Sequence, residues 1–155
     1  MSDDLGQQII DAVEKRGWYV VNVLPAEDGS DGDERCSYTI GLGKSLHWPE
    51  LICFGRVADE AFEMLRLTIA ECWERQITPH DGLLLRKVLQ RFPVKVASNG
   101  ALGNYLGLAE WYAEQAGLPK PDRLQLLWPD EEGRYPDDPD CDPQIRAIQT
   151  PRTTA

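Results

Sequence analysis

Three strand-like runs follow one another, at residues 18–24, 36–42 and 51–55, before any long helix intervenes. They are rich in Val, Ile and aromatic residues, which fit a pleated, half-buried surface. Pro25 closes the first run, and Gly41 with Gly43 breaks the second. Strands that follow one another without a helical crossover pair antiparallel, so a doubly wound parallel sheet is excluded at the outset.

The other elements fit around this core. In the opening segment Leu5, Ile9 and Val13 recur at helical spacing, Ser2 is a candidate cap, and Gly17 follows Lys15 and Arg16 as a stop. Residues 58–76 read as a long helix with Phe62, Leu65, Ile69 and Trp73 as its apolar stripe, ended by Thr78-Pro79. Residues 82–97 alternate like a hairpin, with Leu83, Leu85, Phe92, Val94 and Val96 set against Arg86, Lys87, Arg91 and Lys95, although Leu83-Leu84-Leu85 also fits a helix. Residues 102–116 form a third helix with Leu102, Leu106, Ala109 and Ala113 on one face, and 123–128 a last strand. The fold class is therefore α+β: a single, mostly antiparallel sheet of about six strands, with three helices packed against one face. At 155 residues the chain has the length of one domain, assigned to residues 1–143, with 144–155 as a frayed tail.

Charge narrows the function classes. The net charge of −10 comes from 26 acids against 16 bases. Nucleic acids and anionic membranes both select basic surfaces, so neither is an expected partner. The excess is local: residues 27–35 sum to −4, residues 130–142 to −6, and the rest is neutral. Two acidic loops on a neutral scaffold suggest an acidic interaction face for a basic protein partner, with Asp130, Asp137, Asp138, Asp140 and Asp142 as its candidate residues. Those carboxylates match calcium in type but not in spacing, so no metal site is assigned.

The first residues, Met-Ser-Asp-Asp, lack a basic, then apolar, leader pattern, and no apolar run reaches membrane-spanning length. Cys36, Cys53, Cys72 and Cys141 form no C-x-x-C pair, which disfavours both a disulfide framework and zinc. The expected compartment is the cytoplasm.

One stretch gathers chemistry. Tyr38, Thr39, His47, Trp48 and Glu50 fall around a strand–loop–strand junction and form a candidate pocket. No Ser-His-Asp order, phosphate-cradling glycine loop or Cys–His motif accompanies them, although Cys36 or Cys53 could be paired with His47. Catalytic residues are therefore unassigned, no cofactor is indicated by motif, and the residues decide neither for nor against an enzyme. The leading expectation is a non-enzymatic protein-interaction or accessory module with an acidic face. The alternative is a small-molecule or flavin-type cofactor-binding enzyme with its pocket near Tyr38, His47 and Glu50. Oligomeric state is not legible in the sequence.

Four segments together resemble the bacterial domain of unknown function DUF4262. They are the run from Gly17 through Val23 (Gly-Trp-Tyr-Val-Val-Asn-Val), Tyr38-Thr39-Ile40-Gly41-Leu42, Pro49-Glu50-Leu51-Ile52 with Phe54-Gly55, and Gln125-Leu126-Leu127-Trp128-Pro129-Asp130 with Gly133-Arg134-Tyr135-Pro136. The resemblance spans about residues 10 to 140 and implies one compact bacterial domain. It supplies no activity, cofactor or residue role. That family usually places a His directly before the Pro-Glu pair, whereas Trp48 stands there in this chain, with His47 one residue earlier.

Overall fold

The computed structural model describes residues 3–23 and 35–151. The acidic segment 27–34, the Ser2 cap and residues 152–155 lie outside the described residues. Helix α1 (Asp3–Arg16) leads into strand β1 (Tyr19–Val23), then β2 (Cys36–Ile40), a one-turn helix α2 (Leu42–Leu46), β3 (Glu50–Phe54) and the long helix α3 (Ala58–Arg75). Strands β4 (Leu84–Leu85) and β5 (Val94–Ala97), a 3-10 turn (Gly100–Asn104), α4 (Gly107–Gln115), β6 (Arg123–Leu127) and α5 (Pro143–Gln149) complete the order.

The six strands form one sheet in the order β1-β2-β3-β6-β5-β4. Every neighbouring pair is antiparallel except β3–β6, where Glu50 pairs with Arg123 and Cys53 with Leu126 in parallel. The α+β class with a mixed, mostly antiparallel sheet is thus the observed architecture.

The helices cover both faces, not one. Alternation along the strands splits the core: Cys36, Tyr38, Ile40, Ile52 and Phe54 pack with α1 and α4, while Leu51, Cys53, Leu124 and Leu126 pack under α3. The reason is visible in β2 and β3, which are buried at all five positions each. Small polar residues, Ser37 and Thr39, occupy the second face of β2, and a hydrophobic pattern read for one face passes over them.

Four further differences have local causes. The β2 run stops at Ile40, two residues early, because Gly41 turns the chain at φ 102°. A Cβ there would sit 2.7 Å from Val13 Cγ2, so only glycine fits both the conformation and the space. Along α3 the buried face is Ala61, Met64, Leu65, Thr68, Ile69 and Cys72, whereas Phe62 and Trp73 are 37% and 59% exposed. Leu65 and Ile69 belong to both stripes, and Ala61 and Thr68, small enough for close helix–sheet packing, take the places a hydrophobicity pattern gave to Phe62 and Trp73. Phe62 instead stacks on Trp18 at 5.8 Å.

The expected helix over 102–116 is divided into the 3-10 turn and α4, with Asn99 Oδ1 accepting from the Ala101 N–H at 2.9 Å to start the turn. Gly103 and Gly107 both weaken a continuous helix through this stretch. The frayed tail is replaced, over Pro143–Gln149, by α5. Asp142 caps this helix by accepting from Gln144 N–H, and Pro143 stands at its first position. Buried Gln149 accepts from Trp128 N–H (2.9 Å), donates to Trp128 C=O (2.8 Å), and lends its own C=O to Gln125 Nε2.

Candidate functional site

The candidate pocket residues part company at the β2–β3 junction. Thr39 points to the side of Glu50, and its Oγ1 donates to Glu50 Oε1 at 2.8 Å. The same carboxylate accepts from Gly41 N–H (Oε2, 2.9 Å) and Leu42 N–H (Oε1, 3.2 Å), where the chain leaves β2 and starts α2. Glu50 is almost wholly buried, and that burial pushes its carboxyl up to about 7, against the lowering effect of the hydrogen bonds from Thr39, Gly41, Leu42 and Gly43. It therefore titrates near neutrality while holding the turn in place.

Tyr38 lies on the opposite face of the sheet. Its hydroxyl accepts from Leu108 N–H at 3.1 Å, and burial raises it above the usual phenol range. It belongs to the α1–α4 core and does not share a cavity with His47 or Glu50. Cys36 and Cys53 are buried near the far ends of their strands from Gly41 and Glu50, as the Cys36–Phe54 pairing shows. Burial pushes the Cys53 thiol up to about 12, so a Cys–His nucleophile pair is not assembled with His47.

His47 ends α2 in the left-handed conformation (φ 58°, ψ 36°). Its N–H bonds to Gly43 C=O, the 5→1 bond of an αL stop, and Trp48 N–H reaches Leu42 C=O. Glycine usually occupies that position; a histidine there is uncommon, and its imidazole stands exposed. Trp48 follows directly and is buried, its ring against the α3 side of the core.

A cleft of about 510 Å³ opens at this edge of the sheet. One wall is 41–50, including Lys44, His47, Trp48 and Glu50; a second is Thr78-Pro79; the third comes from α4 and residues 118–122. The parallel β3–β6 pairing brings these walls together, with Glu50 N–H donating to Asp122 C=O at 2.8 Å. Tyr112, Leu118, Lys120 and Asp122 line it but were invisible as site residues in the sequence, since they lie 60 or more positions from Glu50.

The acidic candidates behave differently from a free charged face. Asp130 is buried, and its carboxylate accepts from the N–H groups of Glu132, Arg134 and Asp142; the first of these bonds in weight, from Arg134, holds its carboxyl below the usual range. Asp138 accepts from Asp140 N–H and Asp142 caps α5, so both shape the loop. Asp137 pairs with Lys95, and the carboxylates of Asp137 and Asp140 are the exposed ones that no backbone N–H occupies. Tyr135 donates to Pro93 C=O at 2.6 Å and Trp128 Nε1 to Phe54 C=O at 2.9 Å, which folds this segment back onto the sheet. Among the described residues no three His, Cys, Asp or Glu side chains are grouped to hold a metal ion, and no helix is long and apolar enough to cross a membrane.

The family model described as Domain of unknown function (DUF4262) matches residues 12–142. The chain belongs to the DUF4262 family. The match takes in every strand of the DUF4262 sheet and the whole cleft, and it ends on Asp142, one residue before α5. No curated protein and no solved structure matches this DUF4262 chain.

Proposed function

We propose that this DUF4262 chain is a small-molecule-binding protein whose ligand sits in the cleft between α2, Thr78-Pro79 and the α4–β6 connection. The observation that carries this reading is the cleft itself. Its volume falls in the range of small-molecule sites, its walls are mostly apolar, and a few polar groups converge on it. Four of its lining residues are prolines (Pro49, Pro79, Pro119, Pro121), whose fixed φ keeps the walls in shape without a ligand. A preformed site loses little free energy to reorganisation on binding.

The test is a thermal-shift screen of metabolite-like compounds against the wild type and Gly43→Trp. Gly43 lines the cleft, and a Cβ there meets nothing closer than Trp48 C=O at 3.7 Å, so a side chain can start from this position, and an indole is large enough to occupy the cleft. A true ligand at 100 times its Kd stabilises the wild type by about 2.7 kcal/mol. The same compound must leave Gly43→Trp unshifted. A screen in which every hit shifts both proteins equally overturns the reading.

A protein-interaction module with an acidic face is the second reading. It is favoured by the way β2 begins, and β6 ends, at one edge of the sheet: Gly55 N–H bonds to Arg35 C=O, and Trp128 bonds to Phe54 C=O. Both acidic segments adjoin that edge in sequence. Poly-lysine titrated by calorimetry is the probe. Salt-sensitive binding that is lost in Asp137→Asn/Asp140→Asn supports the face, and equal binding by the variant removes it.

A further inference from the structure

We infer that the ligand of the cleft is a flat apolar ring system carrying one anionic group, a carboxylate, sulfonate or phosphate. This rests on the cleft reading above and names the chemistry of its occupant.

The shape and lining argue for a flat ring. Trp48 and Tyr112 are buried in the floor of the cleft, the prolines give its walls rigid flat surface, and Ala109 and Ala113 keep the α4 wall low. Rings are favoured against such walls because they bury large area with little loss of torsional freedom.

The charge argues for an anion. The chain as a whole carries −10, yet the cleft is lined by Lys44, Lys120 and His47. Two acids, Glu50 and Asp122, line it as well, and neither forms an ion pair with Lys44 or Lys120. The Glu50 carboxylate is turned to Thr39 and to the Gly41 and Leu42 N–H groups. Asp122 is exposed at the rim. Lys44 has no ion-pair partner among the described residues. Lys120 stands 3.3 Å from Glu110, but Arg123 holds the same carboxylate oxygen at 2.8 Å and is far more buried, so Glu110 is already paired without it. The Lys120 ammonium is exposed and can turn to a second anion at little cost, because exposed pairs of this kind are worth at most about 1 kcal/mol. A ligand anion at the edge of an apolar cleft is less screened than one at an open surface.

Two fluorescent probes separate ring from charge: 8-anilinonaphthalene-1-sulfonate, which is anionic, and N-phenyl-1-naphthylamine, the same ring frame without the sulfonate. The wild type is expected to bind the sulfonate at least ten-fold more tightly. Lys44→Gln/Lys120→Gln should lower sulfonate affinity about ten-fold, which is 1.4 kcal/mol, and leave the neutral probe unchanged. Gly43→Trp should remove both. Amide spectra of the isotope-labelled wild type locate the probe without any variant, with shifts expected at Gly43, Lys44, Trp48 and Lys120. Equal binding of the two probes, or sulfonate binding indifferent to the lysine changes, overturns the anion while the cleft stands. Absence of binding by either probe, or shifts confined to the exposed Phe62 and Trp73, overturns the cleft itself.

Discussion

Thr39 Oγ1 donates to Glu50 Oε1 at 2.8 Å and accepts from the Leu51 N–H at 2.9 Å. One hydroxyl therefore ties the end of β2 to both the side chain and the backbone of β3. Replacing it by the isosteric valine keeps the packing and strips a buried carboxylate oxygen of one donor and a buried N–H of its acceptor. Each unsatisfied group costs about 1–3 kcal/mol. Thr39→Val is expected to lose about 3 kcal/mol in urea unfolding with an unchanged m-value. A loss below about 1 kcal/mol would mean that water replaces the hydroxyl.

Glu50 gives that junction a pH dependence. Its folded carboxyl lies at about 7, above the ordinary 4.5, so the folded chain holds the proton more tightly than the unfolded one. The favourable contribution is complete below about pH 4.5 and is lost as pH rises to about 7, amounting to roughly 3 kcal/mol. Unfolding measured from pH 4.5 to 7.5 should show this decline on top of the other groups, and Glu50→Gln should remove it. The variant is less stable at low pH, because one amide NH₂ must face the Gly41 or Leu42 N–H. An unaltered slope in Glu50→Gln would place the titration elsewhere.

Gly41 and Gly43 are two residues apart and should respond oppositely to alanine. At Gly41 a Cβ meets Val13 at 2.7 Å in a left-handed conformation, so Gly41→Ala should cost about 2 kcal/mol or more. Gly43 is helical with room for a methyl, so Gly43→Ala should gain up to about 1 kcal/mol. Differential scanning calorimetry of the pair decides it; a gain at Gly41 would contradict the turn described above.

Gln149 joins α5 to the end of β6 although the family match ends before it. Truncation after Asp142 removes Ile145 and Ile148 from the α3-side core and leaves Trp128 N–H and C=O without partners. The expected loss is about 3 kcal/mol, and Gln149→Ala should account for about half of it. A truncated chain as stable as the full one would show that α5 only rests on the sheet.

Legibility followed the range of the forces involved. Period-two and helical patterning, glycine and proline punctuation, and charge at helix ends are local, and they placed most elements to within a few residues. Tyr38 and Thr39 show where a local signal was present but unused: neighbours on a strand face opposite ways, so only one of them could join Glu50. Phe62 and Trp73 show where it misled, because large apolar residues outweigh the small Ala61 and Thr68 that the sheet accepts. Nothing local could group Lys44 and Glu50 with Tyr112 and Lys120.

By itself, then, the chain's order of residues determined an α+β sheet, a neutral scaffold with two acidic segments, and the strand–loop–strand junction of Tyr38, Thr39, His47, Trp48 and Glu50 as a place of interest. Tertiary structure alone decided that helices cover both faces, that Tyr38 belongs to the core, and that Tyr112, Lys120 and Asp122 line one cleft with His47 and Glu50. The physical reason is the β3–β6 pairing. It joins strands more than 70 residues apart in parallel, Glu50 beside Arg123, and only that closure sets the three walls of the cleft against one another.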